Sequence, residues 1–365
     1  MTHYERIMSV YRRQNAGRIP WAAYGGFLVP MGANERQLRN QGCGWIQWAP
    51  VCSWLAPGMS HMTGWMFESE IKNVEMSLRF DWRQGERVII RSYHTPVGDI
   101  YEELRQEPGY HSLWVKKYFI ESPQDYRVMQ YVVENTVFRP TYADYLEARD
   151  NLGTDGVLLA VADRSPFQKT LIELCGTERL YFDLLEIPGV VEELLQTLER
   201  KQDEAYQVVA ESPAEVVWMV DNVTGDITEP RMFEKYNLPF YNKQARLLHA
   251  AGKLLAVHLD GRMRPLKDLV AQTDVDVVES FTLPEVGGDL PIAEAFAAWP
   301  GKAVVANIPA SLCLLDGAGI RRYLEAFFDQ LPSRNFMFEL SENFPPAELR
   351  RVLPIFAEFM ASQKE

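Results

Sequence analysis

From residue 154 onward the chain repeats one pattern, in which a short apolar run precedes a longer segment with apolar residues at helical spacing. Short apolar runs bounded by turn signals are typical of strands buried on both faces. The strands predicted here are 156–161, 215–221, 254–260, 275–281, 303–309 and 335–340. The helices predicted between and after them are 190–209, 230–251, 290–299, 319–331 and 346–361. Repeated strand–helix units predict a parallel sheet with right-handed crossovers.

Two earlier strand candidates, 18–24 and 45–51, bring the set to the number that closes a (β/α)₈ barrel of the TIM type. An open doubly wound sheet is the alternative, and it is less favoured because no Gly-x-Gly-x-x-Gly motif follows any strand. The first 14 residues have the pattern of an amphipathic helix. We therefore predict one α/β domain over residues 1–365, a TIM-type barrel preceded by an N-terminal helical segment.

Residues 66–105 interrupt this rhythm with period-two alternation and a turn at Gln84-Gly85, which predicts antiparallel hairpins inserted into the barrel. Seven of the nine tryptophans also lie in the first 114 residues. Such enrichment can line a ligand cavity, because tryptophan is large and amphipathic. Both a cavity and a core position stay open for Trp45, Trp48 and Trp54. A core position beneath the insertion is favoured for the others, which are Trp21, Trp65, Trp82 and Trp114.

The composition is that of an ordinary globular protein, with 47% hydrophobic and 24% charged residues. A net charge of −13 argues against a nucleic-acid partner, since neutralising phosphates requires a basic surface. There is neither an apolar run long enough for a membrane span nor the apolar core of a signal peptide. The scattered cysteines form no Cys-x-x-Cys pair. Together these features predict a cytoplasmic protein with reduced thiols.

The segment 253–261 carries the strongest functional signal, because an apolar run there ends in His258, Asp260 and Gly261. Active sites of parallel barrels lie at the carboxyl ends of the strands. His258 could instead be a hydrogen-bonded histidine at the mouth of the barrel, but the functional interpretation is favoured.

Polar or aromatic residues also follow the other predicted strands and would converge on one mouth. In strand order the set is Tyr24; residues 48–52; Asp163 and Arg164; Asp221 and Asn222; His258 and Asp260; Glu279 and Ser280; Asn307; and residues 339–342. A single member could be a helix cap, as Asp221 could be, so the set is more specific than any member. His258 with Asp260, Asp221, Glu339 or Glu342 could bind zinc, or could act as general acid and base without a metal.

Several short motifs make the order of elements similar to a known superfamily. They are Arg18-Ile-Pro20, the segment 35–42, Thr95-Pro96-Val97-Gly98, Ser122-Pro-Gln-Asp125-Tyr126, Ala162-Asp163-Arg164-Ser165-Pro166 and Val257-His258-Leu259-Asp260-Gly261. The chain resembles the uroporphyrinogen decarboxylase-like superfamily over nearly its whole length. Within it, the chain looks most like the branch of corrinoid-dependent methyltransferases and phenyl methyl ether O-demethylases.

The departures from that superfamily bear on function. The decarboxylases grip porphyrin carboxylates with an arginine-rich N-terminal signature, where this chain has Trp21-Ala-Ala-Tyr24-Gly25-Gly26. An acidic porphyrin needs several cations, and the mouth offers mainly Arg164, Arg262 and Arg264. Porphyrin decarboxylation is therefore disfavoured.

The zinc ligands of the resembling families are also changed. The thiol methyltransferases use His-x-Cys and a later Cys, where this chain has His258-x-Asp260 and Ser341-Glu342. The ether demethylases place two glutamates upstream of the histidine, and their spacing falls on Asn222 and Asn237. Amides are poorer zinc ligands than carboxylates. Any metal would thus rely on His258 and Asp260, and we expect less than one zinc per chain.

The resemblance implies a methyltransferase that moves a methyl group from a small methylated substrate, such as a methoxylated aromatic, to a corrinoid (methylcobalamin) on a partner protein. His258, Asp260, Asp221 and Glu342 are the expected catalytic residues. The expected substrate-binding residues are Tyr24, Trp48, Arg164, Asn222, Asn237, Asn307 and Glu339. Two alternatives stay open: a decarboxylase or lyase that clamps a small carboxylic acid with Arg164 or Arg262, and a ligand-binding relative without catalysis. A homodimer is compatible with this prediction.

Overall fold

The computed structural model describes residues 1–14, 16–26, 28, 32–54, 70–83, 85–106, 113–331, 335–342 and 344–363. Three parts of the predictions lie outside these residues: positions 66–69 of the insertion, Gln84 of its turn, and Trp65.

The strands are, in chain order, β1 (Trp21–Tyr24), β2 (Cys43–Pro50), β3 (Glu70–Ile71), β4 (Glu75–Arg83), β5 (Glu86–Thr95), β6 (Gly98–Gln106), β7 (Leu113–Lys117), β8 (Thr136–Val137), β9 (Gly156–Ala162), β10 (Val216–Val223), β11 (Leu254–Leu259), β12 (Val277–Phe281), β13 (Ala303–Asn307) and β14 (Phe336–Leu340). The α-helices are α1 (His3–Tyr11), α2 (Ala33–Asn40), α3 (Pro123–Glu134), α4 (Tyr142–Leu152), α5 (Pro166–Lys169), α6 (Thr177–Glu186), α7 (Pro188–Glu211), α8 (Pro230–Met232), α9 (Leu238–Ala250), α10 (Lys267–Ala271), α11 (Ile292–Ala298), α12 (Gly317–Gln330) and α13 (Pro346–Ser362).

Eight of the strands close a parallel barrel in the order β1-β14-β13-β12-β11-β10-β9-β2. The predicted (β/α)₈ architecture is confirmed, and each of the eight predicted strands overlaps an observed one. Strands β9, β12, β13 and β14 are buried at every position. That burial explains why they read as continuous apolar runs rather than as alternating patterns.

The inserted segment forms a separate four-stranded antiparallel sheet, in the order β4-β5-β6-β7. The predicted hairpins are confirmed, but the sheet continues past residue 105 to Lys117. Trp82 and Trp114 are exposed on it, at 71% and 57%. The expectation that they fill the core is therefore wrong, because the outer strands of this sheet are open to solvent. None of the helices among the described residues is long and apolar enough to span a membrane.

The N-terminal segment forms the predicted helix, α1, which begins with a reciprocal cap between Thr2 and Glu5. Its apolar side is buried, and Tyr11 at its end is fully enclosed. The pKa of Tyr11 is raised well above its usual value by burial and by the nearby Glu339 and Glu279 carboxyls. This helix therefore places a tyrosine close to acidic groups inside the barrel.

Two π-helical turns occur in the loops that follow β9 and β10, at Thr170–Leu174 and Phe233–Asn237. Turns of this kind widen a helix locally and are common at functional sites. They carry Glu173 and Asn237, both of which face the buried polar groups described below.

Candidate active site

The site is built around Glu279, which lies in the middle of β12 and is completely buried. Parallel pairing sets His258 of β11 beside Glu279, and Glu339 of β14 beside Asn307 of β13. His258 is 5% exposed and Glu339 is fully buried. The strand register therefore brings together an imidazole and two carboxyls that are far apart in sequence.

His258, Trp218 and Tyr24 each donate a hydrogen bond to the Glu279 carboxylate. His258 Nδ1 and Trp218 Nε1 each lie 2.7 Å from Glu279 Oε2, and the Tyr24 hydroxyl donates to Oε1. Because Nδ1 is occupied, the other nitrogen of His258 is directed elsewhere, and Nε2 lies 3.9 Å from Asp260 Oδ2. The bond from Glu279 thus fixes the orientation of the imidazole, as a carboxylate does for a catalytic histidine.

The two carboxyls have opposite pKa shifts. Burial and the neighbouring Glu279 raise the pKa of Glu339 well above its usual value. Burial would also raise the pKa of Glu279, but the His258 imidazole outweighs it and lowers that pKa. Burial alone would lower the pKa of His258, yet Glu279 raises it. The arrangement therefore favours an ionised Glu279, a charged His258 and a neutral Glu339 that is hydrogen-bonded to Glu279.

An outer layer of polar groups lies nearer to solvent. The Asp260 side chain is 34% exposed, and burial raises its pKa despite the nearby His258. Burial and the charge of Asp260 raise the pKa of Glu342. Asn307 holds this layer in place, since its Nδ2 donates to Glu342 Oε1 at 2.8 Å and its Oδ1 accepts from Ser280 at 2.7 Å.

Aromatic rings form one wall of the site. Trp48 packs edge-on against Tyr24 at 4.5 Å and lies 5.2 Å from Trp218, which in turn stands edge-on to His258 at 5.9 Å. The indole Nε1 of Trp48 is buried and has no hydrogen-bond acceptor among the described residues. Unpaired buried polar atoms are uncommon and point to a missing ligand or water. Trp54, in contrast, donates to the carbonyl of Val161 at 2.7 Å and belongs to the core.

Asp221 lies in its own buried network. The Ser165 backbone N–H donates to Oδ1 at 2.6 Å, and the Tyr241 hydroxyl donates to Oδ2. Asn237 Nδ2 lies 3.0 Å from Ser165 Oγ and 3.5 Å from Asp221 Oδ2. Asp221 and Asn237 therefore meet each other, and their contacts are with Ser165 and Tyr241 rather than with His258.

Arg164 is also occupied by neighbours. Its Nε donates to Glu173 Oε1 at 2.7 Å, and its Nη1 donates to Asn222 Oδ1 at 2.8 Å and to the Val220 carbonyl. Lys169 completes this buried cluster by bridging Asp163 and Glu173. A guanidinium held on several sides positions the strand ends and has little capacity left to clamp a substrate carboxylate.

Comparison with known proteins identifies the family. The family model for uroporphyrinogen decarboxylase (URO-D) matches residues 115–346, more than half of the chain. The chain belongs to this family. No curated protein matches it.

Among solved structures, this URO-D family member is similar to a methyltransferase from Methanosarcina mazei, at 10% identity over 98% of this chain and 99% of that one, with a TM-score of 0.55. It also matches an endo-beta-1,4-mannanase from Thermotoga petrophila, at 14% identity over 95% and 77% of the two chains, with a TM-score of 0.39. At 10% identity the likeness to the Methanosarcina mazei protein concerns the fold alone.

The arrangement in this URO-D family member does not fit a zinc site. Among the described residues, no group of three or more histidine, cysteine, aspartate or glutamate side chains is placed to hold a metal ion. His258 Nε2 lies 3.9 Å from Asp260 Oδ2, and its Nδ1 is occupied by Glu279. Asn222 and Asn237, at the expected ligand spacing, bond to Arg164 and Ser165 instead.

The sequence pattern placed Tyr24, Trp48, His258, Asp260, Glu279, Asn307, Glu339 and Glu342 at one mouth, and the structure brings them together there. It missed Trp218, which lies within an apolar strand, and Tyr11, which lies at the end of the N-terminal helix and far from any predicted strand end. It also underrated Glu279, although a lone carboxylate inside an apolar strand was a visible signal.

Proposed function

We propose that this protein is a methyltransferase that removes a methyl group from a small methylated oxygen compound, such as a methoxylated aromatic, and delivers it to a corrinoid carried by a partner protein. The observation that supports this most directly is the Glu279–His258 pair, with Asp260 beside it. The pair lies at the carboxyl end of the strands in a URO-D family barrel. The Methanosarcina mazei methyltransferase, which shares this fold over the full length, supports the same reaction class.

In this proposal the partner's corrinoid supplies the nucleophile that accepts the methyl group. The chain's own residues orient the substrate and donate one proton to the leaving oxygen. His258 is held charged by Glu279, so its Nε2–H is placed to donate to the oxygen that loses the methyl group. The C–O bond breaks, the methyl group departs without that bond's electron pair, and the oxygen becomes a hydroxyl with the proton of His258.

The aromatic wall suits the substrate class. Trp48, Tyr24 and Trp218 offer flat apolar surface beside the proton donor, as a methoxylated ring would need. The unpaired Trp48 Nε1 is available for a polar substituent on that ring. Asn307 and Glu342 border the same site from the solvent side.

Neither alternative has a comparable observation in its favour. A decarboxylase would need a free cation, but Arg164 is bound to Glu173 and Asn222, and Arg262 is 55% exposed between Asp226 and Asp289. A ligand-binding relative without catalysis would not need a histidine held charged by a buried carboxylate.

The test is methyl transfer to added cob(I)alamin, followed by its absorbance change, with a panel of methoxylated aromatics. We expect turnover with the native protein and a large loss in His258→Gln. The surface control Glu294→Gln, which breaks only an exposed ion pair, should keep native rates. Absence of His258-dependent transfer across the panel, or carbon dioxide release from a small carboxylic acid instead, would refute the proposal.

A further inference from the structure

Strand β4 forms one edge of the inserted antiparallel sheet, whose order is β4-β5-β6-β7. Among the described residues β4 pairs only with β5, in an unbroken register from Glu75 opposite His94 to Arg83 opposite Glu86. Its outer edge therefore presents backbone N–H and C=O groups that no described strand uses. Proteins commonly protect such an edge with a proline, a bulge, a lysine or a very short strand. The nine residues of β4 show none of these devices.

One face of β4 is apolar and open to solvent. Met76, Leu78, Phe80 and Trp82 occupy alternate positions, so their side chains point to the same face of the sheet. Their exposed fractions are 49%, 42%, 52% and 71%. Farther into the sheet the same face is closed, because Leu104 of β6, which stands in line with Phe80 across β5, is buried. A row of large apolar side chains left open beside a free strand edge indicates a surface that binds another strand.

The other face of β4 carries charges of both signs, on Glu75, Arg79, Asp81 and Arg83. Asp81 pairs with Arg83 at 3.2 Å, and Arg83 also pairs with Glu103 at 2.9 Å. Positive and negative side chains thus follow each other at alternate positions of one short strand. Such a strand can pair with a reversed copy of itself and bring opposite charges together.

Charge selects one register for an antiparallel pair of β4 strands related by a twofold axis. Opposite residues share a face of the sheet, so the axis passes through a residue. Registers that keep at least seven of the nine residues paired have the axis at Leu78, Arg79 or Phe80. The first sets Glu75 opposite Asp81, and the second sets Arg79 opposite itself. Like charges directly opposite each other are destabilising. The axis at Phe80 places Arg79 opposite Asp81 twice and creates no like-charge pair.

We propose that β4 is a dimer interface, at which two copies of this chain pair their β4 strands antiparallel about Phe80. The two inserted sheets then join into one sheet of eight strands. Phe80 contacts Phe80 of the second copy, Leu78 contacts Trp82 of the second copy, and Arg79 pairs with Asp81 of the second copy. The interface lies on the inserted sheet, so it stands independently of the proposed reaction.

The size of this interface predicts a weak dimer. At about 150–250 Å² for a large side chain, the four apolar side chains expose roughly 400 Å² in each copy, given their exposed fractions. With the paired main chains, two copies would bury about 1,000 Å² in total, the lower limit for a specific interface. We therefore expect a dissociation constant on the order of 10 µM. A twofold contact is closed, so association should end at the dimer.

The test is sedimentation velocity of the full-length protein between about 1 and 200 µM, a range that spans the expected dissociation constant. We expect a reversible monomer–dimer equilibrium in the native protein. Phe80→Lys sets two like charges at the twofold axis, so it should weaken the dimer about tenfold or more. Trp114→Lys is the matched control, because Trp114 is an exposed aromatic on β7, at the other edge of the same sheet. Its affinity should stay within about twofold of native.

Exchanging charges tests the register itself. Arg79→Asp alone and Asp81→Arg alone each set like charges opposite each other, so each should weaken the dimer. The double variant Arg79→Asp/Asp81→Arg restores both pairs and should return the affinity towards native. Circular dichroism checks that each variant folds, and the charge variants decide the matter if Phe80→Lys does not.

Five results would overturn the proposal. They are a monomer at every concentration, assemblies larger than a dimer, native affinity in folded Phe80→Lys, equal weakening in Trp114→Lys, and no recovery in the double charge variant.

Discussion

Replacing Glu279 by glutamine tests the central feature of the site, because it keeps the shape of the side chain and removes its charge. In the native protein this carboxylate accepts hydrogen bonds from His258, Trp218 and Tyr24 within a fully buried space. Glutamine can still accept with its single oxygen, but its amide nitrogen cannot accept from a second donor. The substitution therefore leaves His258 without its counter-charge and at least one donor unpaired.

The structure sets the size of the effect. Breaking a buried ion pair by removing one partner costs about 3–5 kcal/mol. Glu339 partly offsets this cost, because it loses the negative neighbour that helps to raise its pKa. We therefore expect the free energy of unfolding to fall by about 3 kcal/mol near pH 6, the lower end of that range.

The loss should depend on pH in a definite direction. The raised pKa of His258 means that its charged form stabilises the fold at pH values below the unfolded pKa of about 6.5, and that this contribution disappears as pH rises through the folded pKa. The lowered pKa of Glu279 means that its contribution is present above the unfolded pKa of about 4.3 and is lost as pH falls through the folded pKa. The cost of Glu279→Gln should thus be greatest between these two limits. In alkaline solution, where His258 is neutral, it should fall to about 1 kcal/mol, the usual contribution of a neutral hydrogen bond.

Urea unfolding at several pH values, together with a histidine NMR titration, measures both quantities. In the variant the pKa of His258 should drop, because burial then acts without Glu279. Glu294→Gln, at an exposed ion pair, should change stability by less than about 1 kcal/mol at every pH. An unchanged pKa of His258, or a stability loss near pH 6 that is no larger than the loss in alkaline solution, would show that the pair is not charged in the fold.

Three further outcomes are expected. His258→Gln should lower the rate of methyl transfer by about a hundredfold or more, as for loss of an acid–base group, and it should also destabilise the protein, because it leaves Glu279 buried without its cation. Tyr241→Phe should lower the free energy of unfolding by about 1.5–3 kcal/mol in urea titrations, since Asp221 loses a hydrogen bond. Elemental analysis should find less than one zinc per chain. One tightly held zinc would show that the ligands were misjudged.

The barrel strands were predictable because burial on both faces leaves only apolar residues in a short segment. Strands β9 and β13 consist almost entirely of apolar residues, and their observed ends lie within two residues of those predicted. The reach of the inserted sheet to Lys117 was not predictable, since Leu113–Lys117 alternates weakly and pairs with β6 only after the chain has turned back. The local sequence pattern thus predicts the barrel strands, but it does not predict every strand pairing in the inserted sheet.

The composition of the site was predictable, whereas its pairings were not. Placing polar residues at strand ends requires only the barrel hypothesis and the sequence. Pairing His258 with Glu279 rather than with Asp221 requires the register between β11 and β12, which no single segment encodes. The π-helical turn that directs Asn237 towards Ser165 is likewise invisible in a pattern of apolar spacing.

Backbone strain marks the same mouth independently of the side-chain chemistry. Asn222 in β10 and Ser280 in β12 adopt left-handed conformations, with φ of 50° and 61°, and both lie at register shifts in the strands that flank β11. Non-glycine residues in this region cost about 1–3 kcal/mol each and persist where surrounding contacts hold them. Here Arg164 holds Asn222 and Asn307 holds Ser280, so strain is kept on both sides of His258. A regular barrel would continue its hydrogen-bond ladders through these positions. The strain on both sides of His258 therefore supports the proposal that this end of the barrel carries the active site.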